Sequence, residues 1–279
     1  FARATKCLSS MSLVDQCIAT MAKHVPLVVN GIDIHLNAAV ATLRPAVEVL
    51  SNFGAVEDEI LDKKATKALI EAGAIEALDR VINAHLVTHD VPLLTSCLDA
   101  LYNIGNDEGA ARIIVRQGLG ALALRCLDQF DFDHDLRRQC VKFLSVLTYH
   151  DFAIRELAEA RAASEVLAVL SAHPDDSELA IDALLAVSNL ATVDTRVFLE
   201  KNYLKDVVNL LDLNPNSPDL VKFVVVTFVR LATDDELSKR IGDDAMPAVM
   251  QATANFVDDP DVLSLVFELL GQLAYVKSN

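Results

Sequence analysis

Three aspartates at alternate positions, Asp131, Asp133 and Asp135 in "DQFDFDHDLRR", have the spacing of the first ligands of a calcium loop. Two neighbours oppose that chemistry. Leu136 stands where the sharp turn of such a loop needs glycine, and Lys142 stands where a bidentate glutamate closes the shell. The run reads as a solvated, helix-capping loop. His85 and His89 lie four apart, a zinc-like spacing, but in an Asn/Thr/Asp loop without a third ligand. His24, His35, His134, His150 and His173 have no companions at ligand spacing, and "GLGALA" at 118–123 lacks the third glycine and the preceding strand of a dinucleotide loop. No GxSxG, P-loop or HExxH is present. The acid pairs Asp175–Asp176 and Asp258–Asp259 fall at helix starts, where capping and the helix dipole account for them. Without a convergent constellation the chain is expected to be no enzyme and to carry no cofactor and no metal.

Composition narrows the classes further. Of 279 residues 52% are hydrophobic, with only 9 Gly and 8 Pro, so the chain can bury a large core and has little room for flexible linkers. A net charge of −16 repels phosphate backbones, and the absence of Trp with 5% aromatics leaves few base-stacking platforms, so nucleic acid is not an expected partner. Cys7, Cys17, Cys97, Cys126 and Cys140 are odd in number and show no CxxC pair, which fits reduced, mostly buried thiols in an intracellular, cytoplasmic protein. The longest uncharged stretch, 245–257, is too short to span a bilayer. Residues 1–30 balance at +2 and the remainder at −18. Such an acid-poor start fits either an ordinary helix flank or the remnant of a transit region, which gives mitochondrial location as the alternative.

The elements that would position any site come from a repeat. One apolar helix end recurs as "LSNFG" at 50–54, "LYNIG" at 101–105, "LSVLT" at 144–148, "VSNLA" at 187–191, "FVRLA" at 228–232 and "LGQLA" at 270–274. Its anchors Phe53, Ile104, Leu147, Leu190, Leu231 and Leu273 are 51, 43, 43, 41 and 42 residues apart, a period of stacked helical units. Each unit reads as a short, a medium and a longer third helix. Asp90 before Pro92, Ser217 before Pro218 and Asp259 before Pro260 are third-helix start signals, and Asp175, Asp176 and Ser177 are N-cap candidates for another. "VVV" at 224–226 suggests a strand in isolation. Leu220, Phe223, Val224, Phe228 and Leu231 nevertheless share one helical face, so a buried helix is expected. The bend between the first two helices falls at Gly73, Gly118, Arg161, Asn202 and Asp244. Gly, Asn and Asp tolerate a left-handed backbone, whereas Arg161 predicts a strained or differently shaped bend.

"ALIEAGAIEALDRVI" at 68–82, "IIVRQGLGALALRCL" at 113–127 and "LLAVSNLA" at 184–191 resemble the armadillo-repeat pattern over roughly residues 38–279. The fold expected is an all-α, right-handed superhelical solenoid of about six three-helix units. They are placed at 38–64, 65–107, 108–151, 152–194, 195–236 and 237–279, after an irregular N-terminal cap at 1–37.

The resemblance implies that third helices line a concave groove and that the recurring Asn bonds the backbone of an extended bound peptide. That position holds Asn52, Asn103, Val146, Asn189, Arg230 and Gln272. One turn earlier, where importin-α-like members carry Trp, stand Glu48, Asp99, Lys142, Leu185, Val226 and Glu268, which disfavours a nuclear-import adaptor. A further turn back are Arg44, Thr95, Arg138, Ile181, Lys222 and Ser264. Arg44, Arg138, Lys142, Lys222 and Arg230 outnumber Glu48, Asp99 and Glu268 on this face. The expected partner is therefore an extended protein segment with acidic and apolar residues, the apolar ones met by Ile181, Leu185 and Val226. The expected function is a non-catalytic protein-interaction scaffold or adaptor. The alternative, supported by a mean hydropathy of +0.32, is a permanent structural subunit of a large, mitochondrial membrane-associated complex. "DVLSLVFELLGQLAYV" at 261–276, apolar nearly all round, is a second expected docking place.

Overall fold

The computed structural model describes residues 1–200 and 203–277, and among them every regular element is helical. The chain divides into two compact units, Phe1–Ala153 and Ile154–Asn279.

The first unit contains α1 (Ala2–Ser12), α2 (Asp15–Met21), α3 (Val25–Ile34), α4 (Val40–Gly54), α5 (Glu59–Glu71), α6 (Ala74–Leu86), α7 (Val91–Ile104), α8 (Glu108–Arg116), α9 (Leu119–Gln129) and α10 (His134–Leu147). The division falls within α11 (Asp151–Glu159). The second unit continues with α12 (Ala162–Ala172), α13 (Ser177–Leu190), α14 (Val197–Glu200), α15 (Tyr203–Leu213), α16 (Pro218–Leu231), α17 (Asp235–Arg240), α18 (Met246–Thr253) and α19 (Pro260–Lys277).

Packing repeats with an offset of three helices. In the first unit α1 packs on α4, α4 on α7 and α7 on α10, while α2 meets α5 and α3 meets α6. In the second, α13 packs on α16 and α16 on α19, while α12 meets α15 and α15 meets α18. All six anchors of the recurring helix end are buried, from Phe53 and Ile104 at 0% exposure to Leu273 at 6%. The segment "VVV" lies inside α16, with Val224 and Val225 fully buried. Third helices approach closely at their ends: a Cβ on Gly54 would lie 2.9 Å from Ile104 Cγ1 and 3.0 Å from the Asn103 carbonyl carbon.

Residues 1–37, expected as an N-terminal cap, are largely helical. They form α1, α2 and α3, and α1 takes the place of a third helix against α4. The buried positions of α1 are Thr5 and Ser12, small polar residues that leave no apolar period to detect.

Caps and bends follow the sequence with two exceptions. Asp176 Oδ1 accepts from the Leu179 amide at 2.9 Å, Ser217 Oγ from the Leu220 amide at 3.3 Å, and Asp259 Oδ1 from the Val262 amide at 3.1 Å. These bonds satisfy amides that the first helical turn leaves open. Asp90 is the first exception. It occupies the N-cap of α7 without a side-chain cap bond, and its carboxylate lies 3.3 Å from Nδ1 of buried His85 instead. Gly73 and Gly118 are left-handed at φ 73° and 71°. At Arg161 the strained alternative holds: at φ 60°, ψ 30° this non-glycine residue adopts the same left-handed bend as the glycines. The second exception is Asp244. It lies in a π-helical run, Ile241–Ala245, that carries α17 into α18 without a left-handed residue. Asn202 lies outside the described residues.

Because a left-handed L-residue costs about 1–2 kcal/mol, Arg161→Gly should stabilise the protein. The added freedom of glycine in the unfolded chain offsets part of that gain, leaving about 0.5–1 kcal/mol. Urea unfolding should show a higher midpoint at unchanged slope. A lower midpoint would show that the exposed Arg161 side chain matters more than its backbone.

Candidate functional site

The third-helix face of the first unit is built on an amide ladder. Asn52 on α4 donates through Nδ2 to the Ser9 carbonyl (3.3 Å) and Ser12 Oγ (3.0 Å) of α1. Asn103 on α7 repeats the arrangement, donating to the Ser51 carbonyl (3.3 Å) and Ser51 Oγ (2.9 Å) of α4. Each amide is thus anchored on the preceding third helix. With both donor bonds directed there, the half-buried side-chain carbonyl of each asparagine is left as an acceptor. Ser51 Oγ in turn donates to Asp99 Oδ2 at 2.7 Å, and Gln139 Nε2 to Asp99 Oδ1 at 3.4 Å.

Beside this ladder lies a cleft of about 620 Å³, lined by Arg44, Glu48, Ser51, Asn52, Thr95, Asp99, Asp133, Asp135 and Gln139 among others. Asp133 caps α10 through the Leu136 amide, and Asp135 is exposed in its first turn. Two of the three aspartates whose spacing resembled a calcium loop, Asp133 and Asp135, therefore begin a helix and border the cleft. Arg44 is paired with Glu48 at 3.1 Å, and Ser9 Oγ donates to the same carboxylate at 3.2 Å. Lys142 Nζ rests 4.2 Å from the centroid of the Tyr102 ring and 3.9 Å from Asp99 Oδ1. Arg138 lies half-buried on α10 and Val146, the unit's missing amide, is buried.

The corresponding face of the second unit is closed by its own side chains. Arg230 NH1 donates to Ser188 Oγ at 3.3 Å and to Asn189 Oδ1, so the acceptor that stays open on Asn52 and Asn103 is occupied on buried Asn189. Lys222 is held between Asp259 (3.1 Å) and Asp261 (3.7 Å). Ile181, Leu185, Val226 and Gln272 are half-buried. On α19, Val262, Val266, Leu269 and Leu273 are buried, while Phe267, Leu270 and Tyr275 stay exposed at 67%, 38% and 69%.

The basic surplus expected from the ladder is thus largely absorbed within the protein. Arg44, Lys142, Lys222 and Arg230 all face partners of this chain, and several of those partners (Asp259, Asp261, Tyr102) stand outside the three rows that spacing selects. In the first unit the cleft lining carries one basic residue, Arg44, against Glu48, Asp99, Asp133 and Asp135, so this lining is acidic.

The Lys222–Asp259 contact predicts an acid response. The Val262 amide and then Lys222 hold the Asp259 carboxyl below its ordinary 3.8. An aspartate lowered on folding favours the fold above its unfolded pKa, and that contribution is lost as pH falls through the folded value. The packing of α16 on α19 should therefore weaken below about pH 4. Asp259→Asn keeps a capping oxygen but removes the charge, and should flatten that limb of a stability–pH profile. An unchanged limb would assign the acid response to other carboxylates.

No protein-family model and no curated protein matches the chain in sequence. Solved structures do match its fold. An engineered protein superposes with a TM-score of 0.75 at 19% identity, covering 91% of this chain and 97% of its own. A designed armadillo repeat protein in complex with the peptide (KR)4 gives 0.70 at 20% identity, over 89% and 99%. A chain from work on the phosphorylation switch between cadherin and beta-catenin gives 0.76 at 16% identity, over 98% of this chain and 49% of that one. With helices that pack in an offset of three, left-handed bends at Gly73, Gly118 and Arg161, and these structural neighbours, the chain has the all-α solenoid fold of the armadillo repeats.

Proposed function

We propose that this chain is a non-catalytic scaffold that holds an extended segment of another protein on its third-helix face, chiefly in the first unit. The observation that carries the reading is the pair Asn52 and Asn103. Their amide donors are fixed on the preceding helix, their side-chain carbonyls are left as acceptors, and Asn52 borders a cleft of about 620 Å³. Two acceptors set one repeat apart match what the main chain of an extended peptide offers, amides at regular intervals. The fold neighbours support the reading, since one of them is in complex with a peptide.

Selection of random peptides on the immobilised chain should yield binders that compete for one face and are weakened by Asn103→Ala. Binders indifferent to that change would place the interface elsewhere. A second reading, a permanent subunit of an assembly, is favoured by one observation, the exposed Phe267, Leu270 and Tyr275 on α19. A monodisperse monomer in solution would speak against it, and association relieved by Phe267→Ser would speak for it.

A further inference from the structure

The uncovered face of α19 keeps the residues of a buried repeat face. Six residues before the anchor, the earlier third helices carry Val47, Leu98, Val141, Leu184 and Val225, none more than 1% exposed. The same place in α19 holds Phe267, exposed at 67%. Three residues before the anchor stand Leu50, Leu101, Leu144, Val187 and Phe228, again none above 1%, whereas Leu270 of α19 is exposed at 38%. One residue after the anchor, Gly54 and Gly105 are buried where the next third helix arrives, with Ile104 Cγ1 and Val146 Cγ1 pressed against them. Ala274 holds that place in α19 and is exposed. At steps of three and four, Phe267, Leu270 and Ala274 share one helix face. A Cβ on Gly271, between them, would meet nothing within 4 Å among the described residues. The outermost face of a solenoid is ordinarily polar. This one has the residues of a face that takes another third helix.

The chain also carries a third helix with a face to spare. α1 packs on α4 through the side that holds Thr5 and Ser12. Its other side shows exposed Ala4, Cys7 and Met11, at the same steps of three and four. Charge is complementary as well. α1 has Arg3 and Lys6 exposed and no acid, while Asp261 and Glu268 are exposed on α19. Pairing α19 with a second α19 would set those acids against their own kind.

We propose that the α19 face of one copy receives the α1 face of a second copy, third helix on third helix, with Arg3 and Lys6 turned toward the acids of α19. The proposal rests on the second reading above and names the assembly as copies of this chain; it is separate from the peptide face. The contact joins two unlike faces, so a pair of copies keeps one of each open and association continues as concentration rises.

Sedimentation velocity of the full chain over a concentration series tests it. The mean mass should rise with concentration. Phe267→Glu should weaken association by about tenfold or more, since an apolar ring at the contact becomes a charge among acids. Lys6→Glu with Met11→Glu should do the same from the other face. These side chains are surface-exposed, so circular dichroism should be unchanged in both variants. Each variant alone should be monomeric, and a mixture of the two should give a dimer with one copy of each and nothing larger. A wild-type chain that stays monomeric at every concentration, or a mixture that forms no dimer, overturns the proposal. If Phe267→Glu abolishes association and the α1 variant associates like wild type, the assembly reading stands and the α1 contact falls. Association that persists in both variants overturns the α19 face and the contact together.

Discussion

Phe53→Ala should destabilise the protein by about 3–5 kcal/mol, the cost of removing a ring from a site that cannot collapse around the gap. Phe53 has no exposed surface and lies in the last turn of α4, the helix that packs against both α1 and α7. Next to it, Gly54 approaches the backbone of α7 too closely for the two helices to shift together and refill the space. The opposite case is Phe132→Ala. That side chain is 73% exposed, and its removal should change stability by no more than about 0.5 kcal/mol. Urea midpoints of the two variants measure the contrast. Equal losses would mean that Phe53 does not anchor a repeat interface.

The second large effect concerns binding. Asn52→Ala combined with Asn103→Ala removes both open carbonyl acceptors of the first unit. At about 1 kcal/mol for each hydrogen bond, a selected peptide should lose about thirtyfold in affinity. The same amides also tie α4 to α1 and α7 to α4, so some stability should be lost as well. Ser12→Ala separates the two roles. It deletes an anchor of Asn52 but no peptide acceptor, and should lower stability while changing affinity little. A double variant that is less stable yet binds normally would make the asparagines structural only.

Much of the fold could be read from the sequence because its determinants are local. Ile104, Leu147 and Leu190 recur at one period and are buried, since a helix end that must pack on its neighbour tolerates only apolar anchors. Gly73 and Gly118 announce their bends because glycine adopts a left-handed backbone at little cost. Arg161 makes the same bend without the signal. The surrounding helices over-determine its backbone, and neighbouring packing leaves no trace in residue type. The first helix was hidden for a related reason. Thr5 and Ser12 are its buried positions, and its hydroxyls and carbonyls serve Asn52 where apolar side chains would otherwise pack.

The places of the ladder residues were legible in the sequence, and their side-chain pairing was not. Asn52 and Asn103 stand where the ladder puts them. The sign of the surface depends on partners that no fixed spacing connects: Asp133 and Asp135 from the start of α10, Asp259 and Asp261 from the start of α19, and Tyr102 one residue before the amide. Counting basic residues along three rows finds the cations and misses the groups that neutralise them.

Photo-crosslinking tests the central claim most directly. A benzophenone amino acid at Thr95, half-buried in the cleft lining of α7, is compared with one at Arg125, exposed on α9. A peptide selected on the wild-type chain should crosslink from position 95 and not from position 125. Capture from position 125 alone, or equal capture from both, would contradict the account.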